Sequence, residues 1–181
     1  MADAAVSQPH DAIESVRITL TGHVQGVGFR PFVYRLANEN HLVGEVRNCL
    51  GEVEVIASGD PESLKQFEAG LVSKAPPLSR PTITRVEQIE PRHDDAFRIA
   101  SSSQDADAKI FVPPDYFMCE DCREELLDPQ DRRYRYPFIN CTQCGPRYTL
   151  IEALPYDRPN TSMAAFPLCA DCEREYLDPN D

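Results

Sequence analysis

The chain has 181 residues, of which 41% are hydrophobic, and a formal net charge of −12. This length allows one large domain or two small ones with a hydrophobic core. The negative charge argues against broad contact with nucleic acid or with an anionic membrane, so an anionic ligand would need a local positive pocket.

The first residues and the cysteines indicate the compartment. Residues 1–14 are polar and acidic, which predicts a disordered tail rather than a signal peptide. No stretch resembles a membrane span. Six of the seven cysteines form three Cys-x-x-Cys pairs, a pattern typical of metal binding in the cytoplasm. The sequence therefore predicts a cytoplasmic protein without membrane contact.

Residues 15–100 carry alternating strand and helix patterns. Val16, Ile18 and Leu20 alternate with polar residues and predict a half-buried strand. A glycine-rich string follows, and then apolar residues at helical spacing run from Phe29 to Ala37. The next two segments, 44–48 and 52–58, predict two strands joined by a short turn.

A second helix is predicted after Asp60-Pro61, an N-cap followed by proline at the first helical position. Residues 82–90 predict a strand whose apolar residues break period two, which indicates a bulge. Residues 97–99 predict a short edge strand. The order β-α-β-β-α-β predicts a ferredoxin-like α+β domain, with an antiparallel sheet and two helices on one face.

The string Gly22-His-Val-Gln-Gly-Val-Gly-Phe-Arg30 predicts a phosphate site. Its glycines allow a tight turn with uncovered amides that leads into a helix N-terminus. Arg30 adds a planar fork of donors that fits a phosphate. Asn48, on a separate strand, can accept a hydrogen bond from a water molecule and donate one to an oxygen. Taken alone, the glycine string is also compatible with an ordinary turn.

This string and the segment Gly44-Glu-Val-Arg-Asn48 resemble the acylphosphatase family over roughly residues 15–100. The resemblance implies that Arg30 grips the phosphoryl oxygens and that Asn48 orients the attacking water. No metal is needed for this chemistry, because an acyl phosphate has a good leaving group. The predicted catalytic residues are Arg30 and Asn48, and the predicted substrate-binding residues are Gln25, Gly26, Val27, Gly28, Phe29 and Arg30.

Residues 101–112 predict a polar linker, and residues 113–181 predict a loop-rich zinc-finger region. Eighteen residues separate Cys119-x-x-Cys122 from Cys141-x-x-Cys144, a spacing typical of a four-cysteine zinc site. A redox dithiol is the alternative. Acidic residues outnumber basic ones by seven to five between residues 115 and 147, so nucleic-acid binding is not expected.

The zinc pattern repeats with an offset of 50 residues. Cys169 and Cys172 begin the second copy, and both are candidate metal ligands. The positions of the second copy that are equivalent to Cys141 and Cys144 would fall beyond residue 181. The repeat therefore predicts that the chain is a fragment of a longer protein.

The order of the two regions is similar to the N-terminal part of the HypF-type carbamoyltransferases of [NiFe]-hydrogenase maturation. The strings Tyr134 to Arg147 and Leu154 to Met163 look like motifs of that family. The resemblance implies hydrolysis of carbamoyl phosphate, ATP-dependent transfer by later domains that are absent from this chain, and a HypE-type protein as carbamoyl acceptor. In that family, the carbamoyl group on the acceptor becomes the cyanide ligand of the hydrogenase iron.

Two alternatives remain open at this point. The chain could be a stand-alone acylphosphatase, or a non-enzymatic zinc-dependent interaction module whose α/β half binds anions. In the leading interpretation the zinc is structural, because four thiolates leave no open position for water. The linker then separates the metal region from the site, and residues 1–107 alone are expected to hydrolyse acyl phosphates.

Overall fold

The computed structural model describes residues 13–49, 51–102, 118–141, 144–153 and 156–180. The predicted tail up to residue 12 and the linker from residue 103 onward lie outside these ranges. The first unit contains β1 (Glu14–His23), α1 (Phe29–Glu39), β2 (Val43–Cys49), β3 (Glu52–Gly59), α2 (Pro61–Ser73), β4 (Arg80–Ile89) and β5 (Phe97–Ile99). The second unit contains α3 (Glu120–Leu127), α4 (Ala170–Leu177) and two short 3₁₀ turns at Tyr148–Leu150 and Arg158–Asn160.

The five strands form one sheet in the order β4-β1-β3-β2-β5. The pairs β1–β3, β1–β4 and β2–β3 are antiparallel, as the sequence predicts. The prediction of a wholly antiparallel sheet is wrong at one edge, because β5 pairs with β2 in parallel. β4 ends at the same end of the sheet at which β2 begins. The segment that connects β4 to β5 crosses the sheet at that end, so β5 starts beside the start of β2 and runs parallel to it.

The predicted bulge in β4 is confirmed. Thr19 pairs with Arg85, but the next residue, Leu20, pairs with Ile83, so Thr84 is the extra residue on β4. Its hydroxyl donates to the carbonyl oxygen of Thr19. The bulge explains why the apolar residues of this strand do not follow a strict period of two.

Both helices of the first unit contribute to one hydrophobic core with the sheet. In α1, Phe29, Val33 and Leu36 are buried, and Phe32 packs at the margin. Asp60 caps α2 by accepting from the amides of Glu62 and Ser63. Burial of each large side chain stabilises the fold by about 1.5–3 kcal/mol. The predicted α+β fold with a ferredoxin-like order is thereby confirmed.

Gly44 is a point at which this fold admits only glycine. Its φ is +138°, and a Cβ atom there would clash with the backbone carbonyl oxygen of Ile56 on β3. We expect Gly44→Ala to lower the free energy of unfolding by at least about 2 kcal/mol, because backbone strain adds to the clash. Urea unfolding beside Lys65→Ala, at an exposed position of α2, measures the effect. Equal midpoints for the two variants would contradict the expectation.

The second unit confirms the predicted repeat. Cys119 and Cys169 are the N-caps of α3 and α4, with nearly the same backbone angles. Each helix has eight residues and begins and ends 50 positions from its counterpart. Arg133 bridges the two copies, because its guanidinium contacts both Glu125 and Glu175. Within the described ranges, no helix is both long and apolar enough to cross a lipid bilayer.

Candidate functional site

The glycine loop, residues 24–28, connects β1 to α1. Gly28 is the N-cap of α1, and its carbonyl accepts the first helical hydrogen bond, from the amide of Phe32. The side chains of Val27 and Phe29 are buried in the core, so only their backbones are available to a ligand. No described residue accepts a hydrogen bond from the amides of residues 25–28. The loop therefore presents donors at a helix N-terminus, where anions bind.

Gln25 ties this loop to the turn between β2 and β3. Its side-chain amide donates to the carbonyl oxygen of Cys49 at 2.9 Å and to that of Glu52 at 3.4 Å. Its side chain thus holds the loop beside the end of β2. Direct contact between Gln25 and a substrate stays a prediction. Because the side-chain amide already donates to the turn, the backbone amide of Gln25 would make that contact.

Asn48 lies at that same end of β2 and is 1% exposed. Among the described residues, neither its amide oxygen nor its amide nitrogen has a hydrogen-bond partner. A buried polar atom without a partner costs about 1–3 kcal/mol. An amide held at this cost, beside loop amides that have no acceptor among the described residues, has the arrangement needed to bind a water molecule or a ligand oxygen.

Arg30 occupies the second position of α1, and its side chain is 23% exposed. Its Nη2 atom donates to Oδ1 of Asp157 at 2.5 Å, and its Nη1 atom is 3.5 Å from the hydroxyl of Ser102. Ser102 in turn donates to Oδ2 of Asp157 at 2.8 Å. Sequence reasoning missed Asp157 and Ser102 as neighbours of Arg30. Asp157 follows Arg30 by 127 positions, which leaves no spacing signal, and in the sequence it stands only within the string from Leu154 to Met163.

The second unit also packs directly on the glycine loop. A Cβ atom at Gly26 would lie 2.8 Å from the ring of Pro146 and 3.2 Å from that of Tyr156. A Cβ atom at Gly145 would lie 3.2 Å from the carbonyl oxygen of Gly26. The expectation that the linker separates the metal region from the site is therefore wrong. The two regions share a boundary at the loop itself.

Four cysteines form a compact cluster in the second unit. The sulfur atoms of Cys119, Cys122, Cys141 and Cys144 all lie within 4.8 Å of one another. Three of the sulfur–sulfur distances are 3.5, 3.8 and 3.9 Å. Zinc bound tetrahedrally at 2.3 Å to each sulfur requires sulfur atoms about 3.8 Å apart. The cluster therefore fits zinc, with Ile139 and Leu126 packed against it.

Two of these thiols have shifted acidity. Burial raises the pKa of the Cys122 thiol. Burial also raises the pKa of Cys144, but hydrogen bonds from the backbone of Cys141 and from Arg147 outweigh it and bring that pKa down to about 6. The Nη2 atom of Arg147 lies 3.2 Å from the Cys144 sulfur. A thiolate is the form that binds a metal ion.

Cys169 and Cys172 lie at the start of α4, outside the four-cysteine cluster. Cys169 is exposed and Cys172 is partly buried. Two arginines of the first copy lie beside α4, and Glu175 on α4 forms ion pairs with both, Arg132 and Arg133. A metal-binding role for Cys169 and Cys172 stays a prediction.

Comparison with known proteins points to both units. Residues 16–99 match the family model for acylphosphatase, and residues 118–151 match that for the HypF finger. A carbamoyltransferase HypF2 from Cupriavidus necator is 52% identical over 156 residues, which are 85% of this chain and 19% of that protein. An acylphosphatase from Staphylococcus aureus strain Newman is 37% identical over 75 residues, which are 41% of this chain and 84% of that protein.

A solved structure extends the similarity to the arrangement of the units. The crystal structure of full-length HypF in the phosphate- and nucleotide-bound form matches 94% of this chain and 22% of its own, with a TM-score of 0.85 and 44% identity. The chain thus spans about a fifth of the length of the carbamoyltransferases it matches. The match runs across both units, so their combination is common to the two proteins.

Proposed function

We propose that this chain, which belongs to the HypF-type carbamoyltransferase family and has an acylphosphatase unit followed by a HypF finger, hydrolyses an acyl phosphate. Carbamoyl phosphate is the proposed substrate. The observation that carries the proposal is Asn48, a buried amide without a described partner, at the strand end to which Gln25 ties the glycine loop.

In the proposed reaction, Arg30 and the amides of the glycine loop bind the phosphoryl oxygens. Asn48 accepts a hydrogen bond from a water molecule and aligns it with phosphorus. The water oxygen bonds to phosphorus as the bond from phosphorus to the bridging oxygen breaks. Carbamate and inorganic phosphate are released. Fixed positive groups and alignment supply most of the rate, because the leaving group is good.

The role in a longer protein is also a proposal. The relatives are named carbamoyltransferases, and the residues matched by this chain are 19% of each. We place the hydrolysis as the first step of carbamoyl transfer in [NiFe]-hydrogenase maturation, with ATP-dependent domains of a longer chain and a HypE-type acceptor as partners. We also place the protein in the cytoplasm.

We further propose that Cys119, Cys122, Cys141 and Cys144 hold a structural zinc ion. Their sulfur–sulfur distances support this, and four thiolates complete a tetrahedral site without an open position for water. The hydrolytic step itself uses no cofactor. Bound zinc would supply folding energy to the finger rather than reaction chemistry.

The function is tested by phosphate release from carbamoyl phosphate, from acetyl phosphate and from a phosphate monoester. Both acyl phosphates are expected to be hydrolysed. We expect no hydrolysis of the monoester, because its alkoxide is a poor leaving group and none of the predicted site residues is a strong base. Hydrolysis of none of the three would refute the proposal, and preference for the monoester would assign a different activity.

Replacement of Asn48 separates its catalytic role from a binding role. We expect Asn48→Ala to lower kcat by about 10²-fold, because the water is no longer aligned, while inhibition by inorganic phosphate changes little. Steady-state kinetics with and without phosphate measure both quantities. Gln88→Ala, at an exposed position on β4, is the control. Equal losses of rate and phosphate affinity would make Asn48 a binding residue instead.

A further inference from the structure

We infer that Asp157 is a positioning residue for the acyl-phosphate site, contributed by the finger region to the acylphosphatase unit. The inference rests on the proposed function and adds a residue to it. Its carboxylate holds the guanidinium of Arg30 in place for phosphate and leaves the remaining donors of Arg30 available to the substrate.

The three groups form a closed hydrogen-bonded set. Oδ1 of Asp157 accepts from Arg30 at 2.5 Å and Oδ2 accepts from Ser102 at 2.8 Å, so both carboxylate oxygens are engaged. The side chains of Arg30 and Asp157 are each 23% exposed. A charged pair at this depth, with one partner fixed by a third residue, has a defined orientation that an isolated surface pair lacks.

Asp157 is itself fixed by its own segment. It is the N-cap of the 3₁₀ turn Arg158–Asn160, and its carbonyl accepts from the amide of Asn160 at 2.8 Å. The turn is anchored at its far side, because Thr161 is 4% exposed and bridges to Ile151. The carboxylate therefore has a rigid support within the second unit.

The number of N–H donors on Arg30 determines whether it can bind Asp157 and a phosphate at the same time. A guanidinium carries five N–H groups, and the described contacts with Asp157 and Ser102 use two of them. No contact between described residues uses the other three, so carboxylate and phosphate can bind the same side chain. An unheld arginine side chain has about 2 kcal/mol of rotamer entropy to lose when it binds. The carboxylate removes part of that loss before substrate arrives.

The Asp157 carboxylate could instead inhibit the site, and the two roles predict opposite changes in rate when Asp157 is replaced. A carboxylate beside Arg30 weakens the positive field, and a carboxylate standing in the place of phosphate would block it. In that case, removal of Asp157 would raise phosphate affinity and rate. Positioning predicts the reverse, because a displaced guanidinium loses its alignment with the transition state.

The experiment compares Asp157→Asn with Asp171→Asn. Asp171 is an exposed carboxylate of the same region that contacts Arg174 and Arg132, and no contact between described residues joins it to Arg30. For Asp157→Asn we expect kcat/KM for carbamoyl phosphate to fall about tenfold or more, chiefly in kcat, and phosphate inhibition to weaken. Asp157→Glu should recover part of the loss. Asp171→Asn should behave as the unmodified chain.

A rate for Asp157→Asn within twofold of the unmodified chain, or above it, overturns the inference. If Asp157→Asn fails to fold by circular dichroism, Ser102→Ala takes its place. That variant removes the partner of Oδ2 without changing charge, and its rate should fall in the same direction.

Failure of the proposed function is distinguishable from failure of this inference. If the unmodified chain hydrolyses no acyl phosphate, the proposed function fails, and the inference is then tested on phosphate binding alone. Titration of inorganic phosphate followed by ³¹P NMR should show weaker binding to Asp157→Asn than to Asp171→Asn. Equal binding by the two variants, or no binding by the unmodified chain, overturns the inference.

Discussion

Arg30→Ala is expected to abolish the hydrolysis of carbamoyl phosphate, with a fall in kcat/KM of about 10³-fold, while the α/β unit stays folded. Arg30 is the basic side chain of the glycine loop and helix start, and loss of a cationic clamp on a phosphoryl group has effects of this order. Phosphate release and circular dichroism measure the two halves of the expectation. The side chain is partly exposed and does not belong to the hydrophobic core, so its removal leaves no large core cavity.

Two further variants sharpen this result. Arg30→Lys should also be poor, because an ammonium group cannot reproduce the planar fork that fits phosphate and Asp157 together. Arg85→Ala, at a side chain 67% exposed on β4, is the matched control and should retain full activity. A folded Arg30→Ala chain that releases phosphate at the unmodified rate would exclude Arg30 from the site.

Removal of the proposed zinc ion is expected to unfold the finger and to slow hydrolysis as well. Structural zinc sites contribute about 10–16 kcal/mol of apparent binding free energy, which a small module without a large core cannot replace. In this chain Pro146 and Tyr156 pack on Gly26, and Asp157 holds Arg30. Loss of the finger should therefore lower kcat/KM at least as far as Asp157→Asn does, about tenfold or more.

The measurement is hydrolysis and limited proteolysis of the full chain before and after chelation, followed by addition of zinc. Cys122→Ser, which removes a buried ligand, should match the chelated protein. Cys169→Ser, outside the four-cysteine cluster, should keep the finger folded and the site active. If chelation unfolds the finger and hydrolysis continues at the original rate, the two units act independently. That outcome would agree with the expectation from the sequence that residues 1–107 alone hydrolyse acyl phosphates.

Local patterns in the sequence predicted the elements of the first unit well. The apolar stripe from Phe29 to Ala37 determines α1, and the Asp60-Pro61 pair determines where α2 begins, because both signals act within one or two helical turns. The bulge in β4 was visible in the same way. The parallel pairing of β5 was not, because it depends on which edge of the sheet the chain reaches.

Residue types and spacing in the sequence predicted the two units, the 50-residue repeat, the four-cysteine set and, as candidate site residues, the glycine loop with Arg30 and Asn48. Each of these is a matter of residue type and spacing within a short stretch of chain or within a repeat. The contacts of Asp157 and Ser102 with Arg30, and the packing of Pro146 and Tyr156 on Gly26, become visible only in the folded arrangement. These contacts depend on how two separately folded units meet, and no local periodicity encodes the packing of surfaces more than a hundred residues apart.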